Sequence, residues 1–205
     1  RWKPSLDAFD KAIALTKGKD AKQQSLKAAA ETAMESKDVE RAERYFKALV
    51  KTAPRNLFLR MEYATTLARS GHKERALALW LDLRRRAKND LKNLVIVLRE
   101  LAELQTSRKQ YDDAEATWRE GLARLSDGHW ASSTFLEGLI GIHRRQDRLH
   151  ELIEAWLPKT RKSYQTLVTV ARLYEELAND VESLKLYRTA VKRRPTDANA
   201  RLQVI

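Results

Sequence analysis

Five times along the chain, a residue no larger than leucine is followed four positions later by a large ring. The pairs are Ala42 with Phe46, Ala76 with Trp80, Ala114 with Trp118, Leu152 with Trp156 and Ser183 with Tyr187. The steps between copies are 34, 38, 38 and 31 residues. Recurrence on that scale means that one supersecondary unit is repeated and that each copy buries its apolar face against the next. A spacing of four puts both members of a pair on one side of a helix.

A dozen or more residues before each pair lies another stripe at helical spacing. The stripes are Leu26, Ala29, Ala30 and Ala33; Tyr63, Ala64 and Leu67; Leu98, Leu101 and Ala102; Leu136, Leu139 and Ile140; and Leu167, Val170, Ala171 and Tyr174. Turn signals separate the two helices of a copy at Ser36-Lys37-Asp38, Ser70-Gly71 and Asn179-Asp180. Others separate successive copies at Ala53-Pro54 and at Arg194 to Asp197. The unit is therefore a helical hairpin. Few glycines and prolines and no runs of alternating Val, Ile and Thr place the whole chain in the all-α class.

Taken together, these residues resemble the tetratricopeptide repeat (TPR) family. The match rests on Ala30, Ala42, Phe46 and Pro54 in the first copy and on Ala64, Gly71, Ala76 and Trp80 in the second. In the fifth it rests on Ala171, Tyr174, Tyr187, Ala190 and Pro195. The third and fourth copies depart from the pattern, because no junction proline follows Trp118 and Pro158 falls inside a second helix, which it should end early. The resemblance implies a right-handed α-solenoid of antiparallel hairpins. Its copies are 23–56, 57–90, 91–128, 129–162 and 163–197; 1–19 is the second helix of a preceding copy and 198–205 the start of another. On this reading all 205 residues are one solenoid and a piece of a longer or processed chain. Trp80, Trp118 and Trp156 are expected in the core, Trp2 is a further core candidate, and Trp130, ahead of a helix, is expected at the surface.

The net charge is +12, with a sequence pI near 9.9, which attracts polyanions and acidic peptides over a range that salt screens. Much of this charge falls in last helical turns, as at Arg84 to Arg86, Lys51 and Lys192 to Arg194, where it complements the macrodipole. There are no cysteines and hence no disulfide framework or thiolate metal site. No apolar run approaches the ~20 residues of a membrane span, and no signal peptide is visible. Localisation stays open.

Catalytic patterns are missing from the sequence: no glycine-rich phosphate loop, no GxSxG elbow and no HExxH. His143, Asp147 and His150 are spaced for a metal, but Asp147 falls at a turn that sends the two histidines along different helices. They read as solvated loop and helix-end residues. The expectation is a non-enzymatic protein with no cofactor, no metal and no small-molecule substrate.

The resemblance also implies that the first helix of each hairpin lines a concave side. Carried across the copies, that face presents Phe58, Met61, Arg69 and Ile96, with Arg99, Arg144 and Arg172 as a line of guanidinium groups beside the apolar patch. Apolar side chains exposed in a groove mark a peptide site; the alternative is that they pack on the chain's own helices. Chaperone-tail recognition in the family needs cations and amides on these helices, whereas Glu31, Glu62 and Glu100 stand there and would repel a carboxylate. The leading expectation is a scaffold that binds a protein or peptide partner, an acidic one on charge grounds, and helps assemble a complex. The alternatives are a polyanion-binding module for nucleic acid, acidic polysaccharide or an anionic membrane surface, and a bacterial envelope or secretion assembly factor.

Overall fold

The computed structural model describes residues 5–126 and 129–204. Trp2 lies outside them. The helices are α1 (Leu6–Leu15), α2 (Lys19–Glu35), α3 (Val39–Thr52), α4 (Leu57–Arg69), α5 (Lys73–Arg86) and α6 (Leu91–Ser107). They continue with α7 (Tyr111–Ala123), α8 (Ser132–Arg145), α9 (Leu149–Trp156), α10 (Tyr164–Glu176), α11 (Asp180–Arg193) and α12 (Ala198–Leu202). There is no strand among the described residues. The chain divides into two compact units, Arg1–Thr117 and Trp118–Ile205.

Local signals set the helix starts. The side chains of Asp38, Asn56, Asp90, Ser163, Asn179 and Asp197 each accept a hydrogen bond from a first-turn backbone N–H, at 3.0 to 3.3 Å. Such caps contribute about 0.5–2 kcal/mol each. As Pro158 requires, α9 stops at Trp156 and gives way to a 3₁₀ turn over Leu157–Arg161.

The turns inside the hairpins are built alike. Lys37, Gly71, Lys109, Asp147 and Ala178 have φ of 63, 85, 60, 55 and 55°, the left-handed region. Around the first, Asp38 N–H donates to the Ala33 carbonyl at 2.8 Å and Lys37 N–H to the Met34 carbonyl at 3.0 Å. The same two bonds recur at His72 and Gly71, Gln110 and Lys109, Arg148 and Asp147, and Asn179 and Ala178. This pattern satisfies the last carbonyls of the first helix while reversing the chain.

In the first unit Ala29, Ala30, Ala42 and Ala76 have no exposed surface, so helix backbones approach closely there. Phe46 of α3 stacks on Tyr63 of α4 at 4.4 Å between ring centroids. Each such buried ring contributes about 1.5–3 kcal/mol. In the second unit Trp118 meets Phe135 edge-on at 5.4 Å. Trp80, Trp118 and Trp156 are buried and Trp130 is exposed.

Ion pairs tie helices one repeat apart. In the first unit Asp7 pairs with Arg41, Asp10 with Arg44, Glu43 with Arg75, Lys27 with Glu62 and Glu74 with Arg108, at 2.5 to 2.9 Å. In the second, Glu137 pairs with Arg172 and Arg144 with Glu176. Exposed pairs of this kind contribute about 0–1 kcal/mol each, so they align the stack more than they hold it.

One expectation needs correction. His143 is not solvated but 1% exposed, with Nδ1 3.1 Å from the Arg148 carbonyl. It occupies the position held by Ala33 and Leu67 in earlier copies, whose carbonyl accepts the long turn bond and whose side chain faces inward. Asp147 lies in the turn and His150 is exposed. Among the described residues no group of three His, Asp or Glu could hold a metal ion.

Candidate functional site

In the first unit α4 touches both α2 and α6, and these three helices enclose a groove of about 280 Å³. Phe58, Met61, Thr65 and Arg69 line it from α4, Lys27 and Glu31 from α2, and Asn93, Ile96 and Glu100 from α6; Phe46 and Trp80 of the second helices reach its floor. Four of the residues expected at a partner site, Phe58, Met61, Arg69 and Ile96, thus come together. Their spacing puts them there: 58, 61, 65 and 69 follow one face of α4.

The two alternatives for the apolar patch are divided among its members. Phe58 is 61% exposed, whereas Met61 is 5% exposed and largely part of the core. Asn56 accepts from the Phe58 backbone N–H at 3.0 Å, which caps the first turn of α4. Ile96 is half-buried. The groove therefore offers an apolar wall over an apolar floor.

Its charges are nearly balanced. Lys27 Nζ donates to Glu62 at 2.5 Å, and that bond raises the lysine above its ordinary value. Arg99 does not line the groove. Its guanidinium lies 2.5 Å from Glu100 and 3.9 Å from Glu103. Burial, reinforced by Glu100, raises the Glu103 carboxyl above its ordinary range.

Arg144 and Arg172 belong to the second unit, where they bridge α8 and α10. Arg144 donates to Glu176, the closer geometry being bidentate, with one arm at 2.8 Å. The bond raises the arginine and lowers Glu176. Arg172 donates to Glu137 beside a small hollow of about 60 Å³ lined by Leu136, Gln165 and Val168. Sequence reasoning placed these arginines on the right helices but did not see their carboxylates. The signal was present as opposite charges about one repeat apart, 32 and 35 residues along the chain.

Antiparallel hairpins, small residues at their close approaches and rings between successive hairpins give the chain a TPR-type helical-repeat fold. Among solved structures the chain is similar to yeast Tom70, at 16% identity and a TM-score of 0.51, with 100% of this chain and 42% of that chain covered. It is likewise similar to the ArsTM double mutant of MamA from Desulfovibrio magneticus RS-1, at 13% identity and a TM-score of 0.51, with 86% and 97% covered. YrrB, described as a TPR protein with an unusual peptide-binding site, aligns at 12% identity and a TM-score of 0.47, with 96% and 97% covered. These likenesses are of fold. No protein-family model matches the sequence, and no curated protein matches it.

Proposed function

We propose that this protein is a non-catalytic interaction scaffold that holds a segment of a partner protein in the groove between α2, α4 and α6 and so helps assemble a complex. The observation that carries the reading is Phe58, a ring left exposed over a floor of Met61, Phe46 and Trp80 and faced by Ile96. An aromatic held in water beside an apolar hollow is stabilised when a partner's apolar side chain fills the space. Arg69 is the rim cation, and Arg99, Arg144 and Arg172 bind an anionic partner only by giving up their carboxylates.

Net charge favours an acidic partner at long range, but the rim sets Glu31, Glu62 and Glu100 against Lys27 and Arg69. The groove selects by shape and apolar content, with charge acting on the rate of encounter. A random peptide library selected on the protein tests this. Enriched peptides should carry apolar anchors, and Phe58→Ala with Ile96→Ala should weaken them about tenfold or more at unchanged helicity. Peptides that bind the double variant as tightly as the parent would remove the groove from the reading.

A further inference from the structure

We propose that one edge of the first unit docks on an anionic bilayer surface. The edge is where α1, α3 and α5 end and α2, α4 and α6 begin. Two observations put these ends together. Gln23, in the second turn of α2, donates to Thr52 at the end of α3 at 2.7 Å. Asp7 meets Arg41 and Asp10 meets Arg44, both 34 residues apart, so α1 and α3 run in parallel register. Continued along the helices, the same step relates Lys17 to Lys51 and Lys51 to Arg85.

The charge here is one-sided. Lys17, Lys19, Lys51, Arg55, Lys88 and Lys92 are all exposed and in no ion pair among the described residues. Arg85 and Arg86 lie here too, and among the described residues of this edge the acids are Asp20, Asp82 and Asp90. Asp82 is occupied by Arg85 and Arg86, and Asp90 caps α6. At the opposite edge Arg41 and Arg108 are paired, and Glu35, Asp38, Glu40, Glu74, Asp112 and Asp113 balance the cations.

Helix polarity does not account for the excess. Cations at the ends of α3 and α5 suit the macrodipole, but Lys19 and Lys92 sit in the first turns of α2 and α6, where it disfavours them. Side chains tilt toward a helix N-terminus, so first-turn residues overhang this edge. Leu91, the first residue of α6, is 44% exposed between Lys88 and Lys92. Lysines around an exposed aliphatic suit headgroup phosphates above an acyl boundary. A single-stranded nucleic acid would want several exposed rings for stacking, and Phe58 is the one exposed ring among the described residues of this unit. The inference is independent of the groove reading.

Vesicle sedimentation tests it, using phosphatidylcholine alone and with about one-third phosphatidylserine. The protein should sediment with the anionic vesicles only, and less as salt rises. Lys19→Glu, Lys51→Glu and Lys88→Glu together should cut binding about tenfold or more, while Lys37→Glu, Lys73→Glu and Lys109→Glu, the same charge change at the other edge, should cost about threefold or less. Leu91→Gln should weaken vesicle binding but not binding to polyuridylate. Helicity by circular dichroism shows that each variant is folded. No binding to anionic vesicles, equal losses from the two triple variants, or vesicle binding indifferent to Leu91→Gln would each overturn the proposal, the last in favour of a soluble polyanion.

Discussion

Glycine inside a helix ordinarily costs stability, and α8 contains two with opposite meanings. A methyl group built on Gly138 would run into the indole ring of Trp118, and one on Gly121 of α7 into the ring of Phe135. Each ring thus fills the notch left by a glycine on the facing helix, an arrangement within the second unit. Gly141, one turn further along α8, has nothing within 4 Å of its added carbon. Gly138→Ala should therefore destabilise by about 1–3 kcal/mol through overpacking, and Gly141→Ala should stabilise by about 0.5–1 kcal/mol. Urea unfolding of the two variants checks the pair; a stabilising Gly138→Ala would mean that Trp118 has room to move. Trp118 was legible because pairs four apart repeat; Phe135, one residue before the stripe read at Leu136, Leu139 and Ile140, was not. The glycines were not, since a notch is defined only by the ring that fills it from another helix.

Among the elements, the hairpin turn is the unit whose cost is unevenly met. All five turns require a left-handed residue, yet one alone uses glycine, at position 71. For other residues that conformation costs about 1–2 kcal/mol. Ala178 has neither the freedom of glycine nor a polar side chain to help. Ala178→Gly should raise stability by about 1 kcal/mol, and Gly71→Ala should lower it by a similar amount although space is open around it. Thermal melts of the single variants would show this, and a neutral Ala178→Gly would mean that the unfolded chain's gain in freedom offsets the relief. Turn positions could be read from Ser36-Lys37-Asp38 and Ser70-Gly71. Their common geometry could not, because four different residue types occupy the same place.

For the molecule as a whole, the period in the sequence carried the fold, while its charge was legible only as a total. A formal +12 says nothing about which cations are already matched, and the structure shows many of them in pairs one repeat apart. Carboxylates held in ion pairs or hydrogen bonds make stability depend on acid. Arg108 holds Glu74 below its ordinary 4.5, Arg144 does the same to Glu176, and Arg86 and Asn93 hold Asp82 and Asp90 below 3.8. Each group is depressed in the folded state, so its contribution is complete above the ordinary value and is lost as pH falls through the folded one. Glu103, raised by burial, works in the opposite sense and gains as it takes up a proton, but it is one group against several. As the carboxylates protonate, 40 lysines and arginines are left with ever fewer counter-charges, and self-repulsion adds to the loss. The melting temperature should therefore fall progressively below about pH 4.5. Added salt at pH 3 should recover part of it by screening. Melts followed by circular dichroism across this range, at low and high salt, provide the check; a melting temperature at pH 3 equal to that at neutrality would mean that the paired carboxylates contribute nothing to the fold.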